Sequence, residues 1–100
     1  MIKIDNNGKG IYTVYLSGDL DELSAASVKA ELDGLLALQP ARIIFDLAGL
    51  VFMNSTGVGV FLSKYKKAME CGTLFYVKNL TSQVEKLFRI SGLFKILQPV

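Results

Sequence analysis

Histidine and tryptophan are missing from this chain altogether. Without an imidazole, neither a Ser-His-Asp nor a Cys-His catalytic arrangement can be assembled. The single cysteine, Cys71, excludes an internal disulfide framework and a zinc site of thiolates, and it fits a reducing cytoplasm. It stands beside Gly72 at an expected helix end, the setting of a small half-buried residue rather than of an activated thiol. An excess of charge is also lacking. Lys and Arg number 11 and Asp and Glu number 9, for a net charge of +2. That is too little to direct the chain to nucleic acid or to lipid headgroups. No run of 18 uncharged apolar residues occurs, so no membrane span or insertion is expected. The opening MIKIDNNGKG lacks the apolar stretch of a signal peptide. No Gly-Lys-Ser/Thr of a P-loop is present, and Gly57-Val58-Gly59 lacks the third glycine and later acidic residue of a dinucleotide fingerprint. No cofactor, metal or catalytic residue is expected.

What is there suits one domain over residues 1–100, with 51% hydrophobic and 20% charged residues. At this length about 60–70% of the unfolded surface can be buried, enough for one core. Ile2 to Asp5 and the alternating run Ile11 to Ser17 flank Asn6-Asn7-Gly8-Lys9-Gly10, whose residues accept positive φ, and predict an opening hairpin. Gly18-Asp19-Leu20-Asp21 ends the second strand. Glu22 to Leu38 reads as a helix capped by Ser24, with Val28, Leu32, Leu35 and Leu36 on one stripe, closed by Gln39-Pro40. Arg42 to Leu47 is a short apolar run, expected as a central strand covered on both faces. Thr73 to Val77 is the next strand. Asn79 to Ile90 is a helix with Thr81 or Ser82 as cap and Gly92 as stop. Leu93 to Leu97 is expected as a short extended piece. Strands alternating with helices in this order imply an α/β fold with a mixed sheet.

The stretch from Phe45 to Lys67 organises the rest. It reads as a strand, a loop, a polar tip at Asn54-Ser55-Thr56-Gly57 and then an amphipathic helix ending near Gly72. Val58, Phe61, Leu62, Tyr65 and Met69 carry the helical rhythm. Asn54 or Ser55 can cap the first turn, because either side chain accepts from its free amides. A hydroxyl at that point faces a dipole that favours negative charge. Gly57 and Gly59 suggest a helix start passing close to other backbone. Phe52-Met53 beside the tip reads as an interface anchor, with plugging of the sheet end as the alternative. Asp19, Asp21 and Glu22 read as a solvated helix cap rather than a catalytic dyad. Lys64, Lys66 and Lys67 are expected on the solvated outer face.

FDLAGLVFMNSTGVGVFLSKYKKAMECG resembles the signature of STAS domains, above all of bacterial anti-sigma-factor antagonists: a strand ending in Asp, a loop, then Asp-Ser-Ser/Thr-Gly-Leu-Gly opening a helix. LSGDLDELSA is similar to the family's Gly-Glu-Leu-Asp segment, and VEKLFRISGLFKIL to its third helix and Ser-Gly-Leu ending. The resemblance runs through essentially the whole chain in the right order. It implies a STAS-like mixed sheet, an opening hairpin then parallel strands, packed against three to four helices mainly on one side. It also implies a non-enzymatic switch that binds an anti-sigma factor acting as a serine kinase. Phosphorylation at Ser55, with Thr56 as a minor site, would abolish binding until a serine phosphatase acts. The partner surface implied is Asp19, Asp21, Phe52, Met53, Asn54, Ser55, Thr56, Gly57 and Val58, on a cytoplasmic monomer or weak dimer. Two departures stand out. Asn54 replaces the family's Asp, and the family's further helix after the last strand is not expected in a sequence ending at Val100. The same fold also serves as a subunit of lipid-transport ATPases or as a stressosome-type scaffold, which would bind constitutively.

Overall fold

The computed structural model describes residues 1–100. Strands β1 (Ile2–Asn6) and β2 (Ile11–Leu20) form the opening hairpin, joined by a turn with positive φ at Gly8, Lys9 and Gly10. Helix α1 (Ala25–Leu36), strand β3 (Arg42–Met53), helix α2 (Ser55–Cys71), strand β4 (Leu74–Lys78) and helix α3 (Ser82–Ser91) follow. The five strands lie in sequence order, antiparallel between β1 and β2 and parallel thereafter. The mixed α/β architecture is the expected one, with three helices. The last expected strand differs. Leu93–Lys95 form a 3-10 turn, because Leu93 and Leu97 both point into the core, and β5 is the pair Gln98–Pro99.

One face of the sheet carries the core. Ile4, Val14, Phe45 and Val77 form one row across β1 to β4, and Tyr12, Ile43 and Phe75 another. Phe45 meets Phe75 and Phe61 edge-on at centroid distances of 5.0 and 5.2 Å. Phe61 in turn meets Phe88 at 5.5 Å. These edge-to-face contacts lock α2 and α3 to the central strand. The opposite face holds Ile44, Asp46 and Tyr76, half-buried, and the shallow groove there is lined by Ile11, Arg42, Ile44, Tyr76 and Val100 without a helix residue. The expectation that β3 would be covered on both faces is therefore corrected. The apolar run Ile43-Ile44-Phe45 gave no alternation to read.

Strand β3 runs six residues past its expected end at Leu47, to Met53. Its pairing with β2 shows why. Tyr15 faces Asp46 and Ser17 faces Gly49, while Gly18 faces Leu50 and Asp19 faces Phe52. At each shift β3 carries one residue more than β2, so it bulges twice. The Asp46 carboxylate accepts from the Ala48 amide at 3.1 Å and steadies the first bulge. Each extra residue inverts the in–out alternation, and period-two reading stops there.

The α2 stripe is only in part the expected one: Phe61 lies in the core and Val58 and Tyr65 pack against it. Gly57, Val60, Phe61, Lys64 and Ala68 face inward, whereas Leu62 and Met69 are exposed. Lys64 is thus not on the solvated face: it is 9% exposed and donates to Asp33 of α1 at 2.7 Å, with Lys67 at 3.1 Å from the same oxygen. A lysine can lie there because its stem packs between the helices while its ammonium meets a carboxylate at their edge. The hydrogen bond from Lys64 holds the Asp33 carboxyl below its ordinary value of 3.8, opposed by partial burial and assisted by Lys67. A depressed carboxylate adds stability above the unfolded-state value, and that stability is lost as pH falls through the native one. Asp33→Asn should cost about 1 kcal/mol at neutral pH, a figure discounted because the carboxylate is half-exposed and screened. Urea melts of wild type and variant should converge as the pH is taken below the carboxylate range.

Candidate functional site

Parallel strands place their C-terminal ends on one edge, and the segments leaving them cluster there. Leu20 at the end of β2 pairs with Met53 at the end of β3, so the β2–α1 turn and the start of α2 are neighbours. The β4–α3 connection joins them: Thr81 donates from its hydroxyl to the Leu50 carbonyl at 3.3 Å, and Asn79 donates to the Asp46 carboxylate at 3.1 Å.

Asn54 is the cap of α2. It is extended, with φ −116°, and its Oδ1 accepts from the amides of Thr56 and Gly57 at 3.1 and 3.4 Å. Two of the free first-turn donors are thereby satisfied. Ser55 comes next, as the first helical residue, exposed, and its hydroxyl has no partner within the chain. Thr56 differs: it is half-buried and its hydroxyl donates to Glu22 Oε1 at 3.3 Å. Asn54 Nδ2 donates to that same oxygen at 2.5 Å.

The remaining expected site residues separate into an outer and an inner set. Phe52, 40% exposed, and Asp19 face solvent, and Val58 is half-buried. Met53 is 6% exposed, and so it cannot be a surface anchor. The second β3 bulge, at Val51, is the cause, since it lets Leu50 and Met53 both point inward and turns Phe52 outward. Gly57 is buried as well. A Cβ there would lie 2.4 Å from Met53 Cγ and 2.9 Å from the Leu20 carbonyl oxygen, so the glycine allows α2 to cross the strand ends. Gly59 has no such role, for a Cβ there meets nothing within 4 Å. The Asp21 carboxylate is engaged inside its own turn, accepting from the amides of Leu23 at 2.9 Å and Ser24 at 3.3 Å.

The cap expected from Ser24 is not made. Its hydroxyl donates instead to the Asp19 carbonyl at 2.7 Å and accepts from the Asp21 amide at 3.1 Å, and α1 starts at Ala25 rather than Glu22. Asp19, Asp21 and Glu22 do not converge into a ligand set for a metal ion. Two residues of this edge were not singled out from the sequence as contacts. Glu22 gave only the signal of an acid near a helix start. Leu23, 94% exposed, gave none, because a lone leucine in a predicted helix reads as core.

An uncharged cap, an unpartnered serine on the first helical turn and an exposed aromatic beside it, on one edge of a mixed sheet, define a small α/β module that presents a hydroxyl rather than a pocket. The chain matches the family profile of the STAS domain over residues 5–100, and it belongs to that family. It is 36% identical over 90 residues to the anti-sigma F factor antagonist of Paenibacillus polymyxa, covering 89% of this chain and 77% of that protein. It is 33% identical over 84 residues to the anti-sigma-B factor antagonist of Bacillus subtilis (strain 168), covering 84% and 76%. Among solved structures it resembles the anti-sigma factor antagonist SpoIIAA in its unphosphorylated form, with a TM-score of 0.80 at 23% identity over 100% of this chain and 88% of that one. The phosphorylated form of SpoIIAA gives a TM-score of 0.73 at 21% identity over 100% and 91%. At such identities the structural likeness establishes the fold.

The geometry separates two glycines that look alike in sequence. Gly57→Ala should destabilise the chain by about 1–3 kcal/mol through overpacking. Gly59→Ala should instead stabilise it by about 0.5–1 kcal/mol, as at any open helical site. Thermal melts of the two variants should therefore move in opposite directions. Asn54→Ala should lower stability by about 1 kcal/mol, the usual loss for a cap.

Proposed function

We propose that this chain is an anti-sigma factor antagonist: a single cytoplasmic domain, not an enzyme, that binds an anti-sigma factor at the Ser55 edge and lets go when Ser55 is phosphorylated. The observation that carries the proposal is the Ser55 hydroxyl, exposed and unpartnered at the start of a helix whose Thr56 and Gly57 amides are already capped by Asn54. The naming of the Paenibacillus and Bacillus relatives supports the partner class. Phosphorylated and unphosphorylated forms of a protein of this fold support the switch.

The partner acts as a serine kinase on the serine it contacts. Ser55 Oγ attacks the terminal phosphorus of a nucleoside triphosphate held by the partner. The new Oγ–P bond forms as the bond to the bridging oxygen breaks, the diphosphate leaves and the hydroxyl proton passes to a base of the kinase. Ser55 is the acceptor in preference to Thr56 because the Thr56 hydroxyl is already committed to Glu22. The product carries about −1.5 to −2 charges at a helix N-terminus, where the dipole tolerates it, so the fold survives. The docking surface does not: Phe52 and Val58 would meet their partner beside an unneutralised dianion. A serine phosphatase would restore binding.

Ser55→Asp should weaken binding to the serine-kinase anti-sigma factor of the same genome by about 100-fold, equivalent to about 2.7 kcal/mol. Its melting temperature should stay within about a degree or two of wild type, because the change is exposed and favourable to the dipole. Calorimetric titration of wild type and variant measures the first effect, and a variant that keeps full affinity overturns the proposal.

A further inference from the structure

Glu22 is exposed and lies in the β2–α1 turn, on no helix or strand, 32 residues from Asn54. One of its oxygens nevertheless holds Asn54 Nδ2 at 2.5 Å and Thr56 Oγ1 at 3.3 Å. These are the two residues on either side of Ser55. A single carboxylate thus fastens the turn to the mouth of α2 across the modification site. Asn54 makes the contact possible. Its Oδ1 caps the helix while its Nδ2 remains a donor, whereas an aspartate there would offer Glu22 only a second acceptor.

We propose that Glu22 is a latch. It closes the β2–α1 turn onto α2 while Ser55 is neutral, and a phosphoryl group on Ser55 opens it. The proposal rests on Ser55 being the phosphorylated residue. A phosphoryl group brings three strong acceptor oxygens and about −1.5 to −2 charges beside the donors that Glu22 holds. Asn54 Nδ2 and Thr56 Oγ1 turn to the phosphate, and the displaced carboxylate is repelled by it. Released from Asn54 and Thr56, the turn is anchored by Asp21 Oδ1 on the Leu23 and Ser24 amides and by Ser24 on the Asp19 carbonyl at the end of β2, bonds that open more readily without the latch. Leu23 and Phe52, two exposed apolar residues of this edge, are then no longer in the spacing that a partner reads. The phosphate signal thereby reaches a second element of the docking surface.

The test needs no partner. Chain carrying phosphoserine at position 55, introduced during translation, is compared with unmodified chain by nitrogen-15 NMR. The readout is the Leu23 and Ser24 backbone amides, which are remote in sequence from the phosphate. Phosphoserine should shift both signals and speed their hydrogen exchange about tenfold. Glu22→Ala in unmodified chain should shift the same signals in the same direction, and phosphoserine added to Glu22→Ala should move them no further. Glu22→Gln, which keeps the acceptor oxygen without the charge, should leave the unmodified spectrum close to wild type. Leu23 and Ser24 signals unchanged by phosphoserine, or moved equally with and without Glu22, would overturn the latch. Because all of this is read on the free chain, its failure leaves the partner-binding proposal standing, and loss of partner binding leaves the latch result intact.

Discussion

The first turn of α2 crosses the ends of β2 and β3 at a distance that only a glycine permits. At Gly57 the helix backbone sits against the Leu20 carbonyl and the Met53 side chain, with no room for a Cβ. Everything at the functional edge follows from that closeness. Asn54 is left at the helix mouth where its carboxamide can reach the Thr56 and Gly57 amides, and Ser55 is carried outward on the next position. Farther along the same helix face, Val60, Phe61 and Ala68 continue the contact, and Phe61 meets Phe45 of the central strand edge-on. The position of the serine is therefore set by core packing rather than by a loop.

The two bulges in β3 do the complementary work on the sheet. A regular strand would send Leu50 and Phe52 inward and Val51 and Met53 outward. With an extra residue at Val51, Met53 fills the space beneath α2 and Phe52 stands in solvent next to the serine. A plug and a surface contact are thus made from adjacent residues. Bulges recur beside functional sites because they re-aim a side chain without altering the strands on either side.

Polar groups at this edge are used almost completely. Asp21, Ser24, Asn54 and Thr81 hold backbone amides or carbonyls, and Thr56 and Asn79 donate to the carboxylates of Glu22 and Asp46. No buried side-chain oxygen or nitrogen lacks a partner. Against that background the free Ser55 hydroxyl stands out chemically. Away from the edge, Asp33 and Lys64 link α1 to α2, so the two helices that flank the Glu22 contact are also tied by charge.

Much of this was written in local sequence. Hairpin turn, element order through α3 and the stops at Gly72 and Gly92 depend on one residue and its immediate neighbours and are found where expected, and of the alternative caps Asn54 or Ser55 and Thr81 or Ser82 the first of each pair is used. Ser55 at the helix start was legible for the same reason. Apart from the Ser24 cap, lost to its near neighbours Asp19 and Asp21, the main errors lie where a partner distant in sequence decides. Lys64 looked like a surface lysine until Asp33 of another helix was placed beside it. Leu47 looked like a strand end because β2, not β3, determines where pairing continues through a bulge. Met53 read as an anchor or a plug, and Gly57 as partner surface or a close approach of backbone, and nothing local chose between them. Sequence alone determined the order of strands and helices through α3 and the caps and stops of α2 and α3, since capping and turn chemistry act over a few residues. Only the tertiary structure decided which of Phe52, Met53, Gly57 and Glu22 lie exposed at this edge, since that depends on how closely two strand ends and a helix are brought together.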